Sequence, residues 1–76
     1  MRQEYCVKNE ISITYNDDNV SFENLETAEA IVIANDREIL INNFDKDQTE
    51  YFMNWYSRIY DTIVYFRSLD RLEEIV

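Results

Sequence analysis

Residues 46–67 read KDQTEYFMNWYSRIYDTIVYFR and carry seven of the eleven aromatic residues of the chain. Large apolar residues recur here every three or four positions, which is the spacing of one face of an α-helix. The residues on this face are Phe52, Trp55, Tyr56, Ile59, Ile63 and Phe66. Acidic residues gather before it, where the positive end of the helix dipole would lie. The stretch therefore predicts a long helix with one face in a hydrophobic core.

The two ends of this helix carry different signals. Asp45 is followed three residues later by Gln48, which is the spacing of a capping box at a helix N-terminus. Toward the other end, Asp70 would project into the apolar face if the helix continued unbroken. We therefore predict a bend near Ser68. Beyond it we expect a short terminal helix that holds the apolar residues Leu69, Leu72, Ile75 and Val76.

The chain contains no glycine and no proline, so its turns must be built from other residues. Asparagine and aspartate tolerate left-handed backbone and cap their own turns. They cluster at residues 16–19, 35–36 and 42–43, and we expect the chain to turn or break at these three places.

Residues 11–15, Ile-Ser-Ile-Thr-Tyr, alternate apolar with hydroxyl-bearing side chains and predict a half-buried strand. Residues 4–8 are either an earlier strand or the start of the same one. In either case Asn9 and Glu10 form a bulge or a turn between the two segments.

Residues 22–29 do not alternate cleanly between apolar and polar side chains. Phe22, Leu25 and Ala28 instead share one side of a helical wheel, and Ser21 is a suitable N-cap. We predict a short helix or helical turn here. A strand that follows the turn at residues 16–19 is the alternative.

The strongest hairpin signal is the dipeptide Asn35-Asp36 between the apolar segments 29–34 and 37–42. A two-residue turn predicts the pairs Ala34–Arg37, Ile33–Glu38, Val32–Ile39 and Ile31–Leu40. Together the elements predict an α+β fold in a single domain, residues 1–76. In this fold a small antiparallel sheet of three to four strands packs against one long C-terminal helix, with a short terminal helix after it.

A domain of 76 residues buries only about 60% of its unfolded surface, so its stability is marginal and a partner would raise it. Cys6 is the only cysteine and fits a packing role in a reducing compartment. The N-terminus lacks the apolar run of a signal peptide, and no segment reaches the roughly 18 apolar residues that span a bilayer. We expect a cytoplasmic protein that does not insert into a membrane.

The sequence offers little for catalysis. Without histidine there is no Ser-His or Cys-His pair, and without glycine there is no phosphate-binding loop. A calcium loop starting at Asp17 fails because Phe22 stands where glycine is required and Ala28 where the bidentate glutamate belongs. We expect no catalytic residues, no metal site and no cofactor.

Charge is the more informative feature. Between Lys8 and Arg37 there is no basic residue but seven acids, and the first fifty residues hold twelve acids and four bases. Such a charge repels nucleic acid and anionic membranes and favours a basic protein partner. The candidate partner-binding residues are Asp17, Asp18, Glu23, Glu26, Glu29 and Asp36, with Tyr51 and Tyr65 as exposed aromatic contacts. The alternative is that the acids serve solubility alone.

A short chain with Asn and Asp turns, a base-free run over residues 9–36 and a tyrosine-rich helix resembles the small acidic proteins that bacteriophages encode against host defence. That class includes anti-CRISPR proteins and nucleic-acid mimics. The resemblance implies a stoichiometric inhibitor of a basic nucleic-acid-binding protein, such as a host nuclease or a CRISPR effector, in the host cytoplasm. The alternative hypothesis is a homodimeric adaptor or antitoxin-like module that associates through the helix at residues 46–67.

Overall fold

The computed structural model describes the backbone of residues 2–75 and the side chains of residues 2–72. Within this range the chain forms five strands and one helix: β1 Gln3–Lys8, β2 Ile11–Tyr15, β3 Asn19–Asn24, β4 Ala30–Ala34, β5 Ile39–Asn42 and α1 Lys46–Ile75. The strands form one antiparallel sheet in chain order, and α1 packs across one of its faces. The α+β class is confirmed, with five strands where three to four were predicted.

Alternate residues of the three central strands point toward α1 and form the core. They are Ile11, Ile13, Tyr15, Val20, Phe22, Ile31 and Ile33. The helix contributes its predicted apolar face, in which Phe52, Tyr56 and Ile63 are fully buried. The Phe22 ring lies 5.4 Å, centroid to centroid, from each of the Phe52 and Trp55 rings. The core thus lies between the sheet and one face of α1.

The first hairpin shows how the chain turns without glycine. Residues 4–8 form a strand of their own, and Lys8 pairs directly with Ile11 across a two-residue turn. Asn9 and Glu10 both have positive φ, at 52° and 67°, as a type I′ turn requires. Asn9-Glu10 is therefore a turn between two strands.

The predicted helix at residues 22–29, with Ser21 as its N-cap, is wrong. Residues 19–24 form β3, and Phe22 pairs with Ile13 on one side and Ile31 on the other. The chain then turns around Asn24, whose side-chain Oδ1 accepts hydrogen bonds from the backbone N–H groups of Glu26 and Thr27. Burial of Phe22 between two neighbouring strands outweighs the local helical spacing.

The β4–β5 hairpin exists, but its predicted register is wrong. Arg37 takes a positive φ of 74° and donates its N–H to Ala34 O, so three residues make the turn instead of two. A bulge at Leu40 shifts the pairing again, and the observed pairs are Ile33–Ile39, Val32–Ile41 and Ile31–Asn42.

The sequence prediction is correct at the start of α1 and wrong at its end. The capping box is confirmed, because Asp45 Oδ1 accepts the Gln48 N–H at 2.8 Å. The bend near Ser68 and the separate terminal helix are wrong, since α1 continues to Ile75. Asp70 does face the sheet, where it accepts a hydrogen bond of 2.9 Å from the Tyr15 hydroxyl. The side chain of Ile75, and Val76, lie outside the described residues.

Candidate protein-binding surface

The antiparallel sheet divides the predicted acidic residues between its two ends. One end, called here the Asp end, carries Asp17, Asp18 and Asp36 in the β2–β3 and β4–β5 turns. The opposite end, called here the Glu end, carries Glu10, Glu26 and Glu29 in the β1–β2 and β3–β4 turns. Strands of five to six residues separate the two ends by about 17–20 Å. Glu23 lies between them, in β3.

The two turns of the Asp end are tied to each other. The side-chain amide of Asn35 donates to Asp17 O at 2.9 Å, and the Asn35 N–H donates to Asp18 O at 3.3 Å. Within the first turn, Asn16 Oδ1 accepts the N–H groups of Asp18 and Asn19, both at 2.8 Å. These bonds hold the three aspartates of the Asp end close together.

Arg67 supports the Asp end from inside the protein. It is 7% exposed, its Nε donates to Asn16 O at 2.8 Å, and its guanidinium lies 6.0 Å from the Tyr60 ring centroid. Sequence reasoning did not single out this residue, although it lies within the helical stretch. The sequence signal for its burial was its position directly after Phe66, the last residue of the predicted apolar face.

The two turns of the Glu end are also joined. The Leu25 N–H donates to Glu10 O at 2.8 Å, which brings the β1–β2 turn against the β3–β4 turn. The start of α1, with Asp45 and Asp47, lies at the same end of the sheet. These two acids offset the positive pole of the helix dipole, and the five acids of this end outnumber its two bases, Lys8 and Lys46, so the Glu end is negative.

A groove of about 380 Å³ opens at the Glu end. The aromatic rings of Phe44, Tyr51 and Phe52 line it, and the Phe44 and Phe52 centroids are 4.6 Å apart. The rest of the lining consists of Ile11, three residues with amide side chains and one acid: Asn9, Asn24, Gln48 and Asp47. An aromatic surface beside a carboxylate is chemically suited to a cationic side chain.

Three of the arginines form their hydrogen bonds with neutral oxygens and not with carboxylates. Arg2 donates to Thr14 and Asn19, and Arg37 donates to the Ser57 hydroxyl at 2.6 Å while lying over the Tyr56 ring. Arg67 donates to a backbone carbonyl. Among residues 2–72 there is one ion pair, between Arg71 and Asp17 at 3.8 Å. Both of its side chains are well exposed. With sixteen acids against seven bases, the chain keeps a net charge of −9, and few of the acids that the structure describes have a close basic partner.

The two predicted aromatic contacts lie in different places. Tyr51 is 54% exposed and lines the groove at the Glu end, while Tyr65 is 60% exposed on the outer flank of α1. Fourteen residues of helix separate them by about 21 Å. The structure therefore places Tyr51, but not Tyr65, at the same end of the sheet as Glu26 and Glu29.

Tyr56 is a buried residue whose phenol pKa changes on folding. It is buried, and its hydroxyl donates to Ala34 O at 2.9 Å. Burial raises the pKa of the phenol above its usual value of 10.0. Because the folded-state pKa is the higher one, the folded state holds this proton more tightly, and stability falls as pH rises above about 10.

We expect Tyr56→Phe to lower the free energy of unfolding by about 1–2 kcal/mol at pH 7, because Ala34 O loses its partner from Tyr56. The loss of stability above pH 10 should also become shallower. Urea unfolding followed by Trp55 fluorescence between pH 7 and pH 11 measures both effects. Tyr65→Phe, at an exposed position, is the control; equal effects of the two substitutions would contradict the assignment.

The comparisons with known proteins leave function to be argued from the geometry. The chain matches no protein-family model, no curated protein and no solved structure. Among the residues that the structure describes, no group of Cys, Asp or Glu side chains is arranged to hold a metal ion. The described part of α1 is not apolar enough to cross a membrane. What the surface offers chemically is charge, aromatic contact area and amide hydrogen bonding.

Proposed function

We propose that this chain is a non-enzymatic acidic protein that inhibits a basic nucleic-acid-handling protein by occupying its nucleic-acid-binding surface. The observation that carries the proposal is that the one ion pair among residues 2–72 lies at the Asp end, between Arg71 and Asp17, which leaves Glu10, Glu26 and Glu29 at the Glu end without a basic partner. An uncompensated field of one sign speeds the encounter of opposite charges and makes binding sensitive to salt.

The Glu end is the preferred docking site within this proposal. Unlike the Asp end, where Arg71 pairs with Asp17, it has no ion pair among the described residues. It also has the groove, in which an arginine or lysine of the partner would stack on Tyr51 and approach Asp47. Binding energy in protein interfaces concentrates in such central anchors, and the surrounding charges set the rate and the specificity of association.

Capture from a bacterial lysate tests the proposal, with the purified chain as bait and mass spectrometry as readout. We expect basic nucleic-acid-binding proteins to be retained at about 50 mM salt and lost at about 500 mM, because the screening length falls from about 14 Å to about 4 Å. Added double-stranded oligonucleotide should release the same proteins. Retention that neither salt nor oligonucleotide affects would contradict competition for a nucleic-acid surface.

A matched pair of tyrosines tests the groove. Tyr51→Ala should weaken binding to a captured partner about tenfold, because it removes an aromatic wall worth about 1–2 kcal/mol to a bound cation. Tyr65→Ala removes an equally exposed ring outside the groove and should leave affinity within about twofold. Titration calorimetry with the purified partner measures both. An equal loss in the two variants would place the contact on the flank of α1.

A homodimeric module remains the second candidate because of one observation. Tyr65, Leu69 and Leu72 lie on one flank of α1 at helical spacing, and they are 60%, 39% and 59% exposed. Because α1 is continuous to Ile75, no bent terminal segment covers Tyr65 or Leu72. If this flank is a dimer interface, Leu72→Lys will convert a dimer to a monomer in sedimentation velocity.

A further inference from the structure

The two edges of the sheet are protected to different degrees. β1 forms one edge and carries Glu4 and Lys8, with a bulge between Glu4 and Cys6. β5 forms the other edge, and its residues Ile39–Asn42 include no charge. Charged residues on an edge strand prevent other chains from pairing with it. A β-bulge also hinders pairing at an edge, and β5 has one bulge, at Leu40.

β5 is also left uncovered by the rest of the fold. All four of its residues are exposed, whereas the residues of β2, β3 and β4 alternate between buried and less buried positions. Ile39, Leu40 and Ile41 are 39%, 49% and 54% exposed, and at the end of the strand the Asn42 amide donates a hydrogen bond of 2.9 Å to the Thr49 hydroxyl of α1. As the last strand of the sheet, β5 has one side without a neighbouring strand, and its apolar residues are exposed there to a second strand.

We propose that β5 pairs antiparallel with β5 of a second copy of this chain, with the two-fold axis at Leu40. The sequence around Leu40 is palindromic in its apolar residues, so this register sets Ile39 of one copy against Ile41 of the other. It also sets Glu38 against Asn42, a carboxylate against an amide donor, and keeps the two Glu38 side chains apart.

Net charge selects this edge for self-association. Two copies that each carry −9 repel one another, so self-association is favoured where acidic residues are few, and Glu38 is the one acid in the proposed pairing of residues 38–42. Residues 39–44 include none, and β5 is the edge strand without charge. The pairing joins two five-stranded sheets into one of ten strands, with both helices on the same face. Because each copy contributes a strand of only four residues, we expect a small interface beside the roughly 1,200 Å² of stable complexes, and therefore a weak dimer.

Sedimentation equilibrium between about 10 µM and 1 mM chain tests the pairing. We expect a dimer that forms toward the upper end and strengthens with salt, because salt screens the repulsion between copies. Salt is expected to weaken binding to the basic partner, so the two associations should respond to salt in opposite directions. Ile41→Lys should stay monomeric throughout, and Leu72→Lys, at a similarly exposed position on α1, should dimerise like the unsubstituted chain.

Three results would overturn the proposal: a monomer at 1 mM, a dimer that survives Ile41→Lys, or a dimer abolished by Leu72→Lys. The last of these would move the interface to the flank of α1. None depends on capture of a basic protein, so the self-pairing and the proposed function fail separately.

Disulfide trapping locates the axis itself. In a Cys6→Ser background, Leu40→Cys places two thiols opposite each other, with Cα atoms about 4.5–5.5 Å apart, which is within the range for a disulfide. We expect oxidised glutathione to link this variant into dimers at least tenfold faster than a Leu72→Cys control. Equal rates would exclude a register centred on Leu40.

Discussion

We expect Phe22→Ala to lower the free energy of unfolding by about 3–5 kcal/mol, the usual cost of removing a buried phenylalanine. Phe22 is fully buried in β3, the middle strand, and its ring contacts Phe52 and Trp55 of α1. Among the described strand residues, Phe22 has two aromatic rings of α1 at these centroid distances, whereas Tyr5 and Tyr15 both lie near the ring of Phe66. Its loss opens a cavity where sheet and helix meet.

The consequence is large because the domain is small. At about 0.05–0.15 kcal/mol per residue, a chain of 76 residues has about 4–11 kcal/mol of stability. The substitution should therefore lower the melting temperature by more than about 12 °C or leave the chain unfolded at 25 °C. Urea unfolding measures it, and Leu72→Ala on the exposed flank should stay within about 0.5 kcal/mol of the unsubstituted chain. A Phe22→Ala cost below 1 kcal/mol would disprove this account of the core.

The second large effect concerns binding to a basic partner. Neutralising the Glu end, by Glu10→Gln, Glu26→Gln and Glu29→Gln together, should weaken the complex about 100-fold at low salt. The estimate takes about 1 kcal/mol for each charge contact that is lost. The net charge changes from −9 to −6, and most of the loss should appear in the association rate. Surface plasmon resonance at several salt concentrations resolves the rates.

The Asp end supplies a control of equal charge. Asp17→Asn, Asp18→Asn and Asp36→Asn together also leave the chain at −6, but they act at the opposite end of the sheet. We expect this triple variant to weaken binding less than about tenfold, through the long-range field alone. If both triple variants lose affinity equally, net charge decides binding and the Glu end has no special role. A stronger effect at the Asp end would move the docking site there.

Of the predicted partner-binding set, the structure places Tyr51 in the groove, and Glu26 and Glu29 in the β3–β4 turn at the same end of the sheet. Composition alone identified the base-free run that supplies these acids. It did not identify Glu10 as their neighbour, because that proximity depends on the hydrogen bond from Leu25 N–H to Glu10 O across two hairpins. The groove itself was invisible in the sequence, since its lining comes from three separate segments.

The sequence by itself determined the elements whose signals are local. The helical face of residues 46–67, the Asp45–Gln48 capping box and the alternation in residues 11–15 each depend on neighbours within one or two turns of chain. Such patterns predict an element because the same residues that show the period also form it.

Only the tertiary structure decided the rest. Phe22 became part of a strand because Ile13 and Ile31 flank it, and α1 stayed continuous through Asp70 because the hydroxyl of Tyr15, 55 residues away, satisfies that carboxylate. The β4–β5 register followed from the positive φ of Arg37 and the bulge at Leu40. In each case, burial or hydrogen bonding between residues far apart in the chain contributes more energy than a local conformational preference of a few tenths to about 1 kcal/mol. The spacing of residues along the chain does not reveal these long-range contacts.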